Sequence, residues 1–202
     1  MRQIGIDVSR ETMDRIERYA GLLEKWNSSI NLVARSTLEN LWNRHIIDSA
    51  QMFQYAPKGA RNWVDLGSGG GFPGIVIAIL AAEHGSEMQV TLVESDTRKV
   101  AFLRTVIRET GINALTINER IENISSLQAD VVSARALADL TTLLNFADHH
   151  LAKNGVALFP KGVNWEKELK DACQTWRFSC QRFKSETDAG AVILRIEDIE
   201  HV

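Results

Sequence analysis

The sequence predicts an α/β fold: a Rossmann-like, doubly wound and mostly parallel sheet with a C-terminal antiparallel hairpin and an N-terminal helical extension. Three observations predict it. Beyond residue 60, short apolar runs alternate with amphipathic stretches of helical length, the pattern of strands joined by helical crossovers. The first of those runs ends in a glycine-rich bend, "VDLGSGGGFPG" at 64–74. The last two extended stretches follow one another with no helix between them, which calls for an antiparallel pair at the sheet edge.

Each element has its own signal. Ser9 is placed to cap a helix with Glu11 in its first turn, and Met13, Ile16, Ala20 and Leu23, flanked by Tyr19, Leu22 and Trp26, recur at helical spacing. "NSSIN" interrupts it, and "STLENLWNRHIIDSAQMF" predicts a second helix with Leu38, Leu41, Trp42, Ile46 and Phe53 on its apolar side. Pro57 and Gly59 close this part, giving a helical extension over 1–58 and a sheet domain over 59–202. There "NWVDLG" reads as a strand, 73–83 as a helix, "QVTLVES" as a strand, and 97–109 as a helix with Val100, Leu103, Val106 and Ile107 inward. The strands "ALTIN" and "ADVVSA", a helix over 139–151 and the strand "GVALFP" follow. Next comes a helix with Trp165, Leu169, Ala172, Cys173 and Trp176 on one side, which places Cys173 in the core. "FSCQRFKSE", with Cys180 as an ordinary strand residue, and "GAVILRIED" make the hairpin.

Composition narrows the function. At 202 residues with 45% hydrophobic and 24% charged side chains, the chain is an ordinary globular sequence with enough material for one substantial core. No apolar stretch approaches the roughly 18 residues of a membrane span, and the charged opening "MRQIGIDVSRETMDRIERYA" reads as that of a soluble cytoplasmic protein. Cys173 and Cys180 are too far apart for a CxxC pair, and no metal site is visible. A net charge of −3 counts against non-specific binding to a polyanion while allowing a local basic patch.

The chemistry is concentrated at the tip of the first strand. Five glycines within 67–74 remove side chains where an open parallel sheet binds its ligands, and Pro73 suits the first turn of the following helix. "GGGFPG" satisfies G-x-G-x-x-G from Gly69 to Gly74, so a dinucleotide site is one reading. Glu94 closes the second strand, 20 to 27 residues beyond those glycines, where a carboxylate can accept from both hydroxyls of an adenosine ribose and would repel a 2′-phosphate. Asp65 turns the spelling into D-x-G-x-G-x-G, running through Gly67, Gly69 and Gly71. That resembles the first motif of class I S-adenosylmethionine-dependent methyltransferases more than a dinucleotide fingerprint.

The resemblance extends along the chain. "KWNSSINLVA", "RHIIDS", "VDLGSGGGFPGI", "LVESDTRKVAFL", "VVSARALADL" and "LFPKG", in that order from Trp26 to Gly162, are similar to the ribosomal RNA small subunit methyltransferase G family, also called glucose-inhibited division protein B. The resemblance implies methyl transfer from S-adenosylmethionine to N7 of one guanine in small-subunit (16S) ribosomal RNA, or in the small ribosomal subunit; nothing in the sequence demands more than a monomer. It further implies that Gly67, Phe72, Ile121, Glu122 and Arg135 line the cofactor site and that Glu94 holds the ribose. Guanine N7 carries a free lone pair and no proton, so no general base is nominated and alignment carries the rate. Arg120, Arg135 and Lys161 are candidates to contact RNA; for Arg120 and Lys161 a solvated surface cation is the competing reading. His45 and Asp48 in "RHIIDS" either face the cleft or, the preferred reading, join Arg44 in tying the extension to the sheet.

Three other functions stay open at this point: a methyltransferase of small metabolites, a dinucleotide oxidoreductase and a non-catalytic RNA-binding factor. Label in a small-molecule fraction would mark the first, and NAD(H) affinity without S-adenosylmethionine affinity the second. The intact cofactor stretch argues against the third.

Overall fold

The computed structural model describes residues 7–85 and 87–202, so the first six residues of the charged opening lie outside it. Its strands are β1 (Asn62–Leu66), β2 (Gln89–Val93), β3 (Ala114–Ile117), β4 (Ala129–Ala134), β5 (Leu151–Lys161), β6 (Trp176–Lys184) and β7 (Val192–His201). They form one sheet in the order β3-β2-β1-β4-β5-β7-β6, parallel through β5, with β7 antiparallel to β5 and to β6. The expected fold class is therefore the observed one. The order reverses between β1 and β4, where an open sheet of this kind leaves a crevice at its carboxyl edge.

Helices cover both faces. On one lie α1 (Arg10–Asn27), α4 (Gly74–Glu83) and α5 (Thr97–Thr110); on the other lie α6 (Leu140–His150) and α7 (Trp165–Ala172). Capping fixes where they start: Ser9, Asp96 and Asp139 accept from the amides of Thr12, Arg98 and Thr142. α4, "GIVIAILAAE", is apolar on all sides because α1 covers the face that the sheet does not. The first core thus runs without a break from Ile16, Tyr19 and Leu23 of α1 through Ile75, Ile77 and Ile79 to Val90 and Leu92 of the sheet. At the edge, the Glu83 carboxylate accepts from the Ser9 amide and from the hydroxyls of Ser9 and Thr12.

Two expectations need correction. The single second helix is instead α2 (Arg35–Leu38), a π-helical turn (Trp42–Ile47), α3 (Asp48–Ala50) and a 3-10 turn (Phe53–Tyr55). The wider π turn shifts the phase of the apolar stripe, so Leu41 and Ile46 stay buried while Trp42, expected inward, is exposed. Cys173 is exposed as well: α7 ends at Ala172, Cys173 sits in the turn, and Trp176 already belongs to β6. Among the described residues no helix is long and apolar enough to cross a membrane.

Candidate cofactor and acceptor site

Strand register builds the site. Leu66 of β1 pairs with Val93 of β2 and Ala134 of β4, and Val93 pairs with Ile117 of β3. The residues that follow, Gly67, Glu94 and Arg135, therefore leave three adjacent strands at one level.

Beneath the glycine loop lies Asp65, fully buried. Its Oδ1 accepts from Ser133 Oγ at 2.8 Å, and that hydroxyl accepts from Trp63 Nε1 at 2.8 Å. Its Oδ2 accepts from the Gly74 amide at 3.2 Å, pinning the first residue of α4 to β1. A Cβ at Gly74 would strike Leu92 and the Asp65 side chain, so only glycine admits this approach. Burial raises the Asp65 carboxyl to about 6, against the pull of the Ser133, Ser68 and Gly74 hydrogen bonds.

Above the loop, Glu94 is held by two backbone amides: Oε2 accepts from Gly69 at 2.9 Å and Oε1 from Asp96 at 2.8 Å. This fixes the carboxylate and leaves further lone pairs open to the adjoining cavity. That cavity, about 490 Å³, is lined by Gly67, Gly69, Glu94, Ile121 and Glu122, and by Ser95, Lys99, Leu137, Thr142 and Phe146. Gly67 has φ +64°, and a Cβ there would come within 2.6 Å of Leu137 Cδ1, so bare backbone forms part of the wall. Volume, glycine wall and anchored acid suit an adenosyl ligand.

Of the nominated cofactor residues, the structure places five on this cavity, namely Gly67, Gly69, Glu94, Ile121 and Glu122. Asp65, Gly71 and Phe72 stand behind it and brace it. Phe72 is buried against Tyr19 (5.3 Å between centroids), His45 (5.0 Å) and the Arg135 guanidinium (5.0 Å). Tyr19 donates its hydroxyl hydrogen to the Gly70 carbonyl. The extension thus supports the loop from below, a role the sequence reading left out.

Arg135 belongs to a second cavity of about 360 Å³, which shares Ala136 and Ala138 with the first. Its Nη2 donates to His45 Nδ1 at 2.6 Å, its Nη1 donates to the Arg44 carbonyl at 3.1 Å and stands 3.6 Å from Asp48. Since arginine only donates, His45 Nδ1 is the bare nitrogen and Nε2–H donates to Thr37 Oγ1 at 2.8 Å. Burial, then Arg135 and Arg44, hold the His45 imidazole down at about 4, so it stays neutral near pH 7. Burial also lowers the Arg135 guanidinium, opposed chiefly by Asp48. His45 and Asp48 do tie the extension to the sheet, and they do so at the site itself.

Lys161 lines the same cavity but is buried, donating to Glu168 at 2.7 Å and to the Ala138 carbonyl at 2.9 Å. It is not a solvated surface cation. Arg120 is exposed at the mouth of the cofactor cavity. Lys99, Leu137, Thr142 and Phe146 were not foreseen, since they come from α5, a loop and α6, which only the fold brings to the cavity.

A seven-stranded sheet in this order, with a glycine loop and a ribose-type acid on neighbouring strand tips, defines an S-adenosylmethionine-dependent methyltransferase. A methyltransferase of that kind from Aquifex aeolicus shares the fold, with a TM-score of 0.58 at 13% identity over 88% of this chain and 97% of its own. Two curated relatives, each called ribosomal RNA small subunit methyltransferase G, are far more similar. That of Ruegeria pomeroyi is 56% identical and that of Ruegeria sp. strain TM1040 53% identical, each over 98% of this chain and 96% of the relative. The family model for rRNA small subunit methyltransferase G matches residues 12–191, and the chain belongs to that family.

Proposed function

We propose that the protein methylates N7 of one guanine in small-subunit (16S) ribosomal RNA, working as a cytoplasmic monomer. The observation that carries this reading is the pair of cavities meeting at Ala136 and Ala138, one suited to an adenosyl ligand and the other walled by Arg44, Arg135 and Lys161.

S-adenosylmethionine, when bound, supplies an electrophilic methyl on a sulfonium. Glu94, its plane set by the Gly69 and Asp96 amides, would receive the ribose hydroxyls; Ile121 would offer an apolar wall to the adenine, with Glu122 beside it. In the neighbouring cavity, Arg135 is held by His45, Asp48 and the Phe72 ring, ready to donate to guanine O6 or a phosphate while N7 stays free. Lys161 keeps one N–H beyond those given to Glu168 and Ala138. Arg120 faces solvent, where it can meet backbone phosphate. N7 has no proton to lose, so the protein's task is alignment, and effective molarities on the order of 10⁵ to 10⁸ M make alignment sufficient.

Incubation with labelled S-adenosylmethionine and naked small-subunit RNA, ribonucleoprotein or intact subunits should label one guanine at N7. No label in any of the three substrates contradicts the reading, and label confined to small molecules replaces it with metabolite methylation.

A further inference from the structure

The acceptor cavity has three carboxylates on its wall, and only one of them is loosely engaged. Asp48 Oδ1 accepts from Gln51 Nε2 at 3.0 Å and Thr187 Oγ1 at 2.7 Å, while Oδ2 faces Arg135. Glu168 Oε2 accepts from Lys161 and from the Leu140 amide at 2.9 Å. Asp188, in the turn between β6 and β7, gives Oδ1 to the Gly190 amide of its own turn at 3.0 Å, and its Oδ2 lies 3.3 Å from Arg44 Nη1. That ion pair is half in water, with 50% and 45% of the two side chains exposed, so little holds it closed.

The turn itself is fixed. Gln51 accepts from the Glu186 amide at 2.9 Å and donates to Ser185 Oγ at 3.1 Å, and Thr187 is anchored on Asp48. Asp188 is therefore presented from a preorganised loop, on the wall that the cofactor cavity does not share. Guanine has N7 and O6 on one edge and the donors N1–H and N2–H on the opposite side of the ring system. A guanine whose N7 points toward Ala136 and Ala138 turns its donor edge to the other wall.

Resting on the guanine-N7 reading above, we propose that Asp188 is the specificity-determining residue for the acceptor base. Its carboxylate leaves Arg44 and accepts from N1–H and N2–H of the guanine, and the released Arg44 is free to meet a neighbouring phosphate. Adenine brings a bare N1 to the same place and meets the carboxylate lone pairs, so it is refused.

The test uses the full chain, labelled S-adenosylmethionine, and the RNA or reconstituted subunit that the wild type methylates, with either guanine or inosine at the methylated nucleotide. Inosine lacks the N2 amino group and keeps N7. The wild type should prefer guanine by about 10-fold in kcat/KM, the worth of one hydrogen bond to a charged acceptor. D188A, which removes the acceptor oxygens, should lose about 10- to 100-fold on guanine and no longer distinguish the two bases, with cofactor affinity unchanged. R44Q breaks the same ion pair but keeps the carboxylate, and should keep the preference. A wild type indifferent to inosine, a D188A that retains the preference, or an R44Q that loses it overturns the proposal. A wild type that methylates no RNA removes the functional reading and this one with it.

Discussion

Replacing Asp65 by Asn tests the buried acid under the glycine loop. Its carboxyl titrates at about 6 in the fold against an ordinary value of 3.8. The folded state thus binds this proton more tightly than the unfolded chain, so between those two values stability falls as pH rises, and the contribution is gone once pH has passed through about 6. Asp65 is fully buried, so solvent screening does not dilute the effect. At roughly 1.4 kcal/mol per pH unit, the wild type should lose about 2 kcal/mol between pH 4.5 and 8 through this group alone. His45 acts in the opposite sense, because an imidazole lowered to about 4 favours the fold as pH rises. Absolute stability curves mix the two, but the difference between D65N and wild type isolates Asp65. Urea unfolding of both proteins without cofactor, from pH 4.5 to 8, should show D65N gaining about 2 kcal/mol on the wild type across the range. A difference flat to within about 0.5 kcal/mol would falsify the reasoning, since it means that the Ser133 and Gly74 hydrogen bonds keep Asp65 ionised throughout.

Three further outcomes follow from the same geometry. Glu94→Gln puts an amide N–H₂ where one of two backbone donors and a ribose hydroxyl need an acceptor, and should weaken S-adenosylmethionine binding by about 10- to 100-fold in calorimetry. Gly67→Ala introduces a side chain at φ +64° and against Leu137; it should cost about 1 to 3 kcal/mol of stability and depress cofactor affinity, and adding Leu137→Ala should recover only the steric share. Tyr19→Phe leaves the Gly70 carbonyl without its buried donor and should cost about 1 to 2 kcal/mol in urea unfolding, and an unchanged midpoint would show that the brace is idle.

The fold was legible where local chemistry is strong. The Ser9 cap, the strand-helix alternation and the unbroken pair "FSCQRFKSE" and "GAVILRIED" gave α1, the parallel sheet and the hairpin. Legibility failed where a helix departs from 3.6 residues per turn: nothing in "LWNRHII" announces a π turn, and so Trp42 was placed on the wrong side. Cys173 was misplaced for a related reason, since helical periodicity ran on past the point where α7 stops. In the candidate site, the placement of strand-tip residues such as Gly67 and Glu94 could be read because parallel strand ends converge on one edge of the sheet. Residues such as Leu137, Thr142 and Asp188 come from a loop, a helix start and a hairpin turn, and only tertiary packing brings them to the cavities. The pairing of His45 and Asp48 with Arg135 spans about ninety residues of chain and has no local signature at all.

The proposed acceptor cavity draws its wall from Arg44, His45 and Asp48 and from Ser185, Thr187 and Asp188, roughly 140 residues further along. During translation the first group emerges long before its counterpart and must wait for it. A growing polypeptide therefore has no finished wall here until the Asp188 turn has been made and has packed against residues about 140 positions earlier.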